Sequence, residues 1–238
     1  MTVWFTPEEL EVLGLSLKVA FWSVLVSLPA AVAVAYLLAR ADFPGKTLFD
    51  SVVHLPLVLP PVVVGYVLLL AFGKNGPIGA LLEHWFGIVV AFRWTGAALA
   101  AGIMGFPLMV RAVRLSIEAI DRKLEAAAST LGAGRLAVFA TITLPLALPG
   151  ILTGMLLSFA RGLGEFGATI TFVSNIPGET RTLPLAIYSY TQTPAGDAQA
   201  LRMSLIAIAL SLAALFASEV LVRRATRRIT GDDPQARH

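Results

Sequence analysis

The sequence runs to 238 residues, of which 57% are hydrophobic and only 14% charged, with a formal net charge of +3 and a mean hydropathy of +0.79. Soluble domains carry roughly a quarter charged residues, so a water-soluble globular domain is excluded: one core cannot hide this much apolar surface. Cysteine is absent, which removes disulfides and thiolate metal centres.

Read in chain order, Met1 to Glu11 holds Glu8, Glu9 and Glu11 and no basic residue. A cleaved secretory leader starts with positive charge, so the first apolar stretch is expected to be retained. Five stretches then have the length that a bilayer requires, about 20 mostly apolar residues each. Val19 to Ala39 lies between Lys18 and Arg40, and Ser51 to Gly73 between Asp50 and Lys74. Trp94 to Val110 lies between Arg93 and Arg111, Leu136 to Ala160 between Arg135 and Arg161, and Met203 to Ser218 between Arg202 and Glu219. Allowing charged residues at helix ends to reach the headgroups, the predicted spans are about 15–39, 51–73, 94–116, 136–168 and 203–223. They form one all-α transmembrane domain over 1–238.

The first loop contains Asp42-Phe43-Pro44-Gly45-Lys46-Thr47. A phosphate-binding loop would need glycine at position 40, which is Arg40, and a preceding strand. Nucleotide binding is therefore excluded here, and any ATP is handled by a partner. The second span carries Pro56, Pro60 and Pro61, each without a backbone N–H. Broken backbone inside a membrane is tolerated where it is buried in protein or lines a wet cavity. A pore-lining gate segment and a structural kink are both open readings. His54 stands without a second histidine at metal-ligand spacing. Asn75 to Phe92 is too short to cross and reads as an external loop with a short interfacial helix, Trp85 lying near the headgroups.

The third loop, about 118–145, predicts a short surface helix. Asp121 suits its start, Leu124, Ala126, Ala127, Ala128 and Leu131 favour helix, and Gly132 and Gly134 suit its end. Its small side chains allow close approach by another surface, so it is either a docking element or an amphipathic surface helix. In the fourth span Arg161 and Glu165 are four residues apart and can pair on one helix face. They read as a pair placed along the pathway or as a structural ion pair holding helices in register. Gly164 and Ala168, at the same spacing, permit close helix contact, and Gly167 lies beside them. Phe172 to Ala200 is a polar external loop with a helix expected near Leu183 to Tyr190, and the tail after Arg223, which ends in Gly231-Asp232-Asp233-Pro234, reads as disordered.

The basic residues set an orientation. Arg40, Lys46, Arg111, Arg114, Arg122, Lys123, Arg135, Arg223, Arg224, Arg227, Arg228 and Arg237 fall on one side, against Lys74, Arg93, Arg181 and Arg202 on the other. The positive-inside rule makes the first set cytoplasmic, with the N-terminus outside and the C-terminus inside. The net positive charge is thereby explained by topology without a nucleic-acid partner. No inverted repeat or mid-membrane set of coupling carboxylates suggests a gradient-driven transporter, and no nucleophile elbow suggests an enzyme.

The third loop resembles the signature of permease subunits of binding-protein-dependent ABC importers, written E-A-A, three residues, G, nine residues, I-x-L-P. Gly132 is followed after nine residues by Ile142-Thr143-Leu144-Pro145. The E-A-A register falls on Ala126, Ala127 and Ala128, so the family's glutamate position is alanine here and Glu125 stands one residue early. The Phe43-Pro44-Gly45-Lys46 loop, the run Leu55 to Pro61 and the segment Ala160 to Ala168 are similar to the molybdate-type permeases; sulfate and thiosulfate permeases share close motifs but usually have one more span. This resemblance implies a type I ABC importer permease fold in the bacterial cytoplasmic membrane. It further implies a homodimer forming the pore, cytoplasmic ATP-binding subunits carrying ATP and magnesium, and an extracytoplasmic oxyanion-binding protein. No cofactor is implied on this chain. The implied coupling set is Leu124, Glu125, Ala126, Ala127, Ala128, Leu131, Gly132, Ile142, Leu144 and Pro145. Molybdate, tungstate and sulfate remain open as cargo.

Overall fold

The computed structural model describes residues 6–230, and every regular element among them is helical. The tail expected to be disordered after Arg223 is instead helical as far as Thr230, where the last helix simply runs on; Gly231 to Pro234 lie outside the described residues. The first helix, α1 (Pro7–Arg40), starts on a reciprocal cap: the Glu9 N–H donates to Thr6 Oγ1 and the Thr6 N–H donates to Glu9 Oε2 at 2.8 Å. At 1.5 Å per residue its 34 residues reach about 51 Å. That exceeds a hydrocarbon core of about 30 Å, so α1 projects well beyond the membrane.

The predicted second span is two helices, α2 (Lys46–Val58) and α3 (Pro61–Phe72), whose axes differ by 112°. The cause is local. Leu59 and Pro60 are both extended, the conformation favoured for a residue that precedes proline, and Pro60 and Pro61 donate no hydrogen bond back to α2. Pro56, by contrast, sits inside α2 without ending it. A short helix, α4 (Pro77–Phe86), follows and leads to α5 (Trp94–Glu118), the most buried of the long helices.

The surface helix is α6 (Arg122–Thr130), followed by α7 (Arg135–Val138), a π-helical turn over Phe139–Thr143, α8 (Leu144–Leu146) and α9 (Leu148–Leu163). The stretch Arg135–Leu146 bends by 67° into α9. Beyond a break at Gly164 to Phe166 come α10 (Gly167–Val173), the short α11 (Leu183–Thr191) and the long α12 (Asp197–Thr230). Among the described residues three helices are long and apolar enough to cross a membrane, and five crossings result if each bent pair counts as one.

Small residues let α1, α5 and α9 come together. Along α9, Gly150 lies against Ala112 and Ser116, and Gly154 against Met109, while Ser158 occupies the space beside Gly105. The four-residue steps run in opposite directions on α5 and α9, so the two helices form an antiparallel seam of close backbone contact. Two apolar clusters fill the bundle. One, near the Trp94 end of α5, gathers Leu68, Met104, Ala168 and Phe172; the other, near its Glu118 end, gathers Leu38, Met109, Val113 and Ile151.

At the start of α1 the acidic residues meet partners from the last third of the chain. Arg181 donates to Glu8 at 2.8 Å, Arg202 pairs with the buried Glu9, and Leu183 N donates to Ser16 Oγ at 2.7 Å. Burial pushes the nearby Tyr190 phenol up, and the Glu8 and Glu9 carboxylates add to that.

Candidate functional site

The third loop folds as a helix standing clear of the bundle. Asp121 Oδ1 accepts from the Lys123 N–H at 2.9 Å and starts α6. Gly132 ends it with φ +90°, a left-handed conformation that glycine adopts without strain. A Cβ built on Gly132 meets nothing. Leu124, Ala126, Ala127, Leu131 and Pro145 are exposed, Leu131 by 89%, and Leu136 beside them by 81%. Large apolar side chains this open on a polar loop suit contact with another protein or with the membrane. Ala128, Ile142 and Leu144 are half-buried, Leu144 packing against the cluster near the Glu118 end of α5.

Glu125 behaves differently from its neighbours on α6. Its side chain turns inward and is only 17% exposed. Arg40, the last residue of α1, donates from both Nε and Nη2 to Oε1, at 3.3 and 3.2 Å, and Nε lies 3.0 Å from Oε2 as an ion-pair contact. The Thr143 hydroxyl donates to Oε1 at 2.7 Å. Neither Arg40 nor Thr143 stood out in the sequence as a partner. Arg40 carries weight there only as a topology-setting charge, and Thr143 occupies the unspecified position of Ile-Thr-Leu-Pro.

The second group of predicted residues meets at the two broken spans. Arg161 closes the last turn of α9, and its Nη1 lies 2.6 Å from Glu165 Oε2. That is an ion-pair distance without the alignment of a hydrogen bond, since Oε2 has no hydrogen-bond partner. Glu165 is 2% exposed and Arg161 is 29% exposed. The other carboxylate oxygen accepts the Ala168 N–H at 2.8 Å, so Glu165 also caps α10. The close approach expected at Gly164 is made elsewhere: because α9 ends at Leu163, Gly164 faces open space. A Cβ on Gly167 instead falls 2.8 Å from Pro61 Cβ, and one on Gly65 falls 2.5 Å from the Ala168 carbonyl oxygen. Gly167 and Pro61 are the first residues of α10 and α3, so these two half-helices start side by side. Their positive ends converge, but Glu165 neutralises one and prolines strip N–H donors from the other. The junction is therefore weakly polar.

Glu165→Ala is expected to lower stability by about 2–3 kcal/mol, the scale for orphaning one member of a buried pair, reduced because Arg161 keeps some access to solvent. Glu165→Gln retains an acceptor for the Ala168 N–H and is expected to lose less. Exchanging Arg161 and Glu165 restores opposite charges but leaves that N–H bare, so it falls between the two. Thermal denaturation in detergent ranks the three variants; an exchange as stable as the unsubstituted chain would remove the capping role.

His54 does not join either group. Its Nδ1 lies 2.9 Å from the Asp50 carbonyl oxygen, while Asp50 pairs with Arg114 at 2.9 Å and so ties α2 to α5. No cluster of metal-ligating side chains occurs among the described residues. Beside α1 and α5 lies a cavity of about 530 Å³ lined by Trp22, Ser27, Phe72, Trp94, Leu99 and Phe106, with no charged side chain in its wall.

Residues 27–228 match the family described as binding-protein-dependent transport system inner membrane components. The chain belongs to that family. Its all-helical bundle has the fold of type I ABC importer permeases. A bacterial alginate ABC transporter, solved in complex with an alginate pentasaccharide-bound periplasmic protein, aligns with a TM-score of 0.74 at 17% identity, over 95% of this chain and 82% of that one. Among curated members, the molybdenum transport system permease protein ModB of Escherichia coli (strain K12) is 60% identical over 94% of this chain and 97% of its own length. The sulfate transport system permease protein CysT of Salmonella typhimurium is 36% identical over 94% of this chain and 80% of its own. Membership makes this a transport subunit of an inner membrane rather than an enzyme.

Proposed function

We propose that this chain is the membrane-spanning permease of an ATP-driven importer that carries molybdate across the bacterial cytoplasmic membrane by alternating access. The observation that carries the reading is the 60% identity to a molybdenum transport permease, sustained over 94% of the chain, against 36% to a sulfate permease. Two copies form the pore. ATP-binding subunits, which hold ATP and magnesium, seat against α6 and its flanking Leu131, Gly132 and Pro145. An extracytoplasmic oxyanion-binding protein delivers cargo at the α11 side, with the N-terminus outside and the C-terminus cytoplasmic. Closure of the ATP-binding subunits on ATP moves α6 and switches the pore from inward- to outward-facing. The weakly polar junction of α3 and α10 suits a divalent tetrahedral anion, because tight binding would trap it.

Cells lacking their own molybdate importer, expressing this chain with its ATP-hydrolysing and binding partners, provide the test. Cell molybdenum, read by elemental analysis in excess sulfate, is expected to rise only when the partner hydrolyses ATP. Labelled sulfate entering in place of molybdenum moves the cargo to sulfate and thiosulfate, and a rise in tungsten alone moves it to tungstate. Molybdenum uptake that survives loss of the ATP-hydrolysing partner overturns the mechanism in favour of a gradient-driven transporter.

A further inference from the structure

We propose that Arg40, Glu125 and Thr143 form the junction that transmits movement of α6 into two membrane spans at once, acting as positioning residues for transport. The inference rests on reading α6 as the docking helix and assigns how that helix is joined to the bundle. Most of α6 faces outward. Its side chains make two kinds of non-local hydrogen bond among the described residues, those of Glu125 and that of Arg122. Everything else on the helix is bonded locally, as Ser129 and Thr130 are to carbonyls three or four residues back.

Those bonds converge on the end of α1. Arg122 Nη2 donates to the Ala39 carbonyl at 3.4 Å, and Arg40 Nη2 donates to the Ile120 carbonyl at 3.3 Å. The last carbonyls of a helix have no partner within it, so Arg122 supplies one that α1 lacks. Each strand of this lacing crosses the short connection between α5 and α6. The Arg40–Glu125 pair, with Nε and Nη2 both donating to Oε1, then holds this face of α6 against the end of α1. With Arg40 only 11% exposed, removal of either charge leaves the other largely buried and alone.

The Thr143 contact carries the linkage to a second span. Thr143 is fully buried and ends the π-helical turn that precedes α9. Leu144 N closes that turn by bonding to the Phe139 carbonyl, and Pro145 has no N–H with which to continue an ordinary ladder. π turns inside helices concentrate at functional positions. Here the wide turn and the proline leave a joint at the foot of α9 while the Thr143 hydroxyl holds that joint to Glu125. A push on Leu124 and Leu131 from below thus reaches α1 through Arg40 and α9 through Thr143, with the same carboxylate as the shared node. The glutamate standing one residue before the E-A-A register fits this role, because that shift turns it from the docking face to the bundle.

The test uses the complete transporter in proteoliposomes, measuring molybdate taken up per ATP hydrolysed. Glu125→Gln and Arg40→Gln are each expected to lower this ratio about tenfold, the scale of losing a hydrogen bond to a charged group. Thr143→Val, which strands no charge, is expected to lower it less and serves if the charge variants fail to fold. Exchanging the charges by Arg40→Glu with Glu125→Arg is expected to recover much of the ratio. A purely structural role would reduce uptake and hydrolysis together and leave their ratio unchanged, and that outcome overturns the proposal. So does an exchange no better than either single change. Detachment of the ATP-hydrolysing partner in Glu125→Gln also overturns it, because Glu125 would then be a docking contact. A separate failure of the docking reading shows as no crosslink from Ala127→Cys to that partner in the otherwise unaltered complex.

Discussion

Gly132→Trp is expected to leave the chain in the membrane and strip it of its ATP-hydrolysing partner, reducing ATP-driven uptake to background. Two features of Gly132 produce this result. Its φ of +90° lies where an L residue is strained by about 1–2 kcal/mol, and nothing within 4 Å would contact an added Cβ. The strain alone is small and local to the end of α6. The side chain starts from an exposed position where its Cβ meets nothing, so an indole there presents its bulk to whatever lies against the loop. Gly132→Asn separates the two effects, because asparagine tolerates the left-handed conformation and adds little volume. Asparagine is expected to keep most co-purification of the partner, and tryptophan to abolish it. Full co-purification with tryptophan would place the docking surface away from the end of α6.

Gly65→Leu is expected to prevent accumulation of folded protein. A single Cβ at position 65 already falls 2.5 Å from the Ala168 carbonyl oxygen and 2.9 Å from both Ala168 Cα and Thr171 Cβ. These neighbours are mostly backbone and cannot swing aside. Even Gly65→Ala is expected to cost about 1–3 kcal/mol, the range for overpacking a filled interior, and leucine adds three further carbons at the same point. Gly164→Ala is the control, since that position opens onto free space and its φ of −92° suits any residue. Fluorescence-detected size-exclusion chromatography after a heat step reads both. Normal folding of Gly65→Leu would mean that α3 and α10 do not touch as described.

The sequence was most legible where a property of one segment settles the matter. The apolar stretches within α1, α5 and α12 stand out because each is long, uncharged and closed by a charge, and a bilayer tests segments by length and polarity. The surface helix was equally plain, since Asp121 and Gly132 are its cap and its stop and both act within a turn of their own position. The short α11 likewise lies where the polar loop suggested a helix. The prolines at 60 and 61 announced a break, but not a turn of 112°, because the direction of α3 depends on what it packs against.

Other misplacements share that cause. Gly164 and Ala168 have the spacing of a contact face only if one helix carries both, and α9 ends at Leu163 before that condition is met. Ala168 does meet another helix closely, through its backbone against Gly65, and Gly167 meets Pro61, each pair about a hundred residues apart in the chain. Arg161 and Glu165 do pair, yet the pair spans the break, and the cap that Glu165 gives α10 follows from the break itself.

What the sequence by itself determined is the membrane character, the all-helical fold, the short surface helix of the third loop and the family, all of which rest on local hydropathy, local caps and fixed short spacings. Only the tertiary structure decided that Glu125 faces the bundle, that Arg40 and Thr143 hold it, and that α3 and α10 begin side by side. These are choices among partners far apart in the chain. On α6 Leu124 and Leu131 face outward while Glu125 faces the bundle, and an ion pair whose members lie 85 residues apart in the chain holds that face inward.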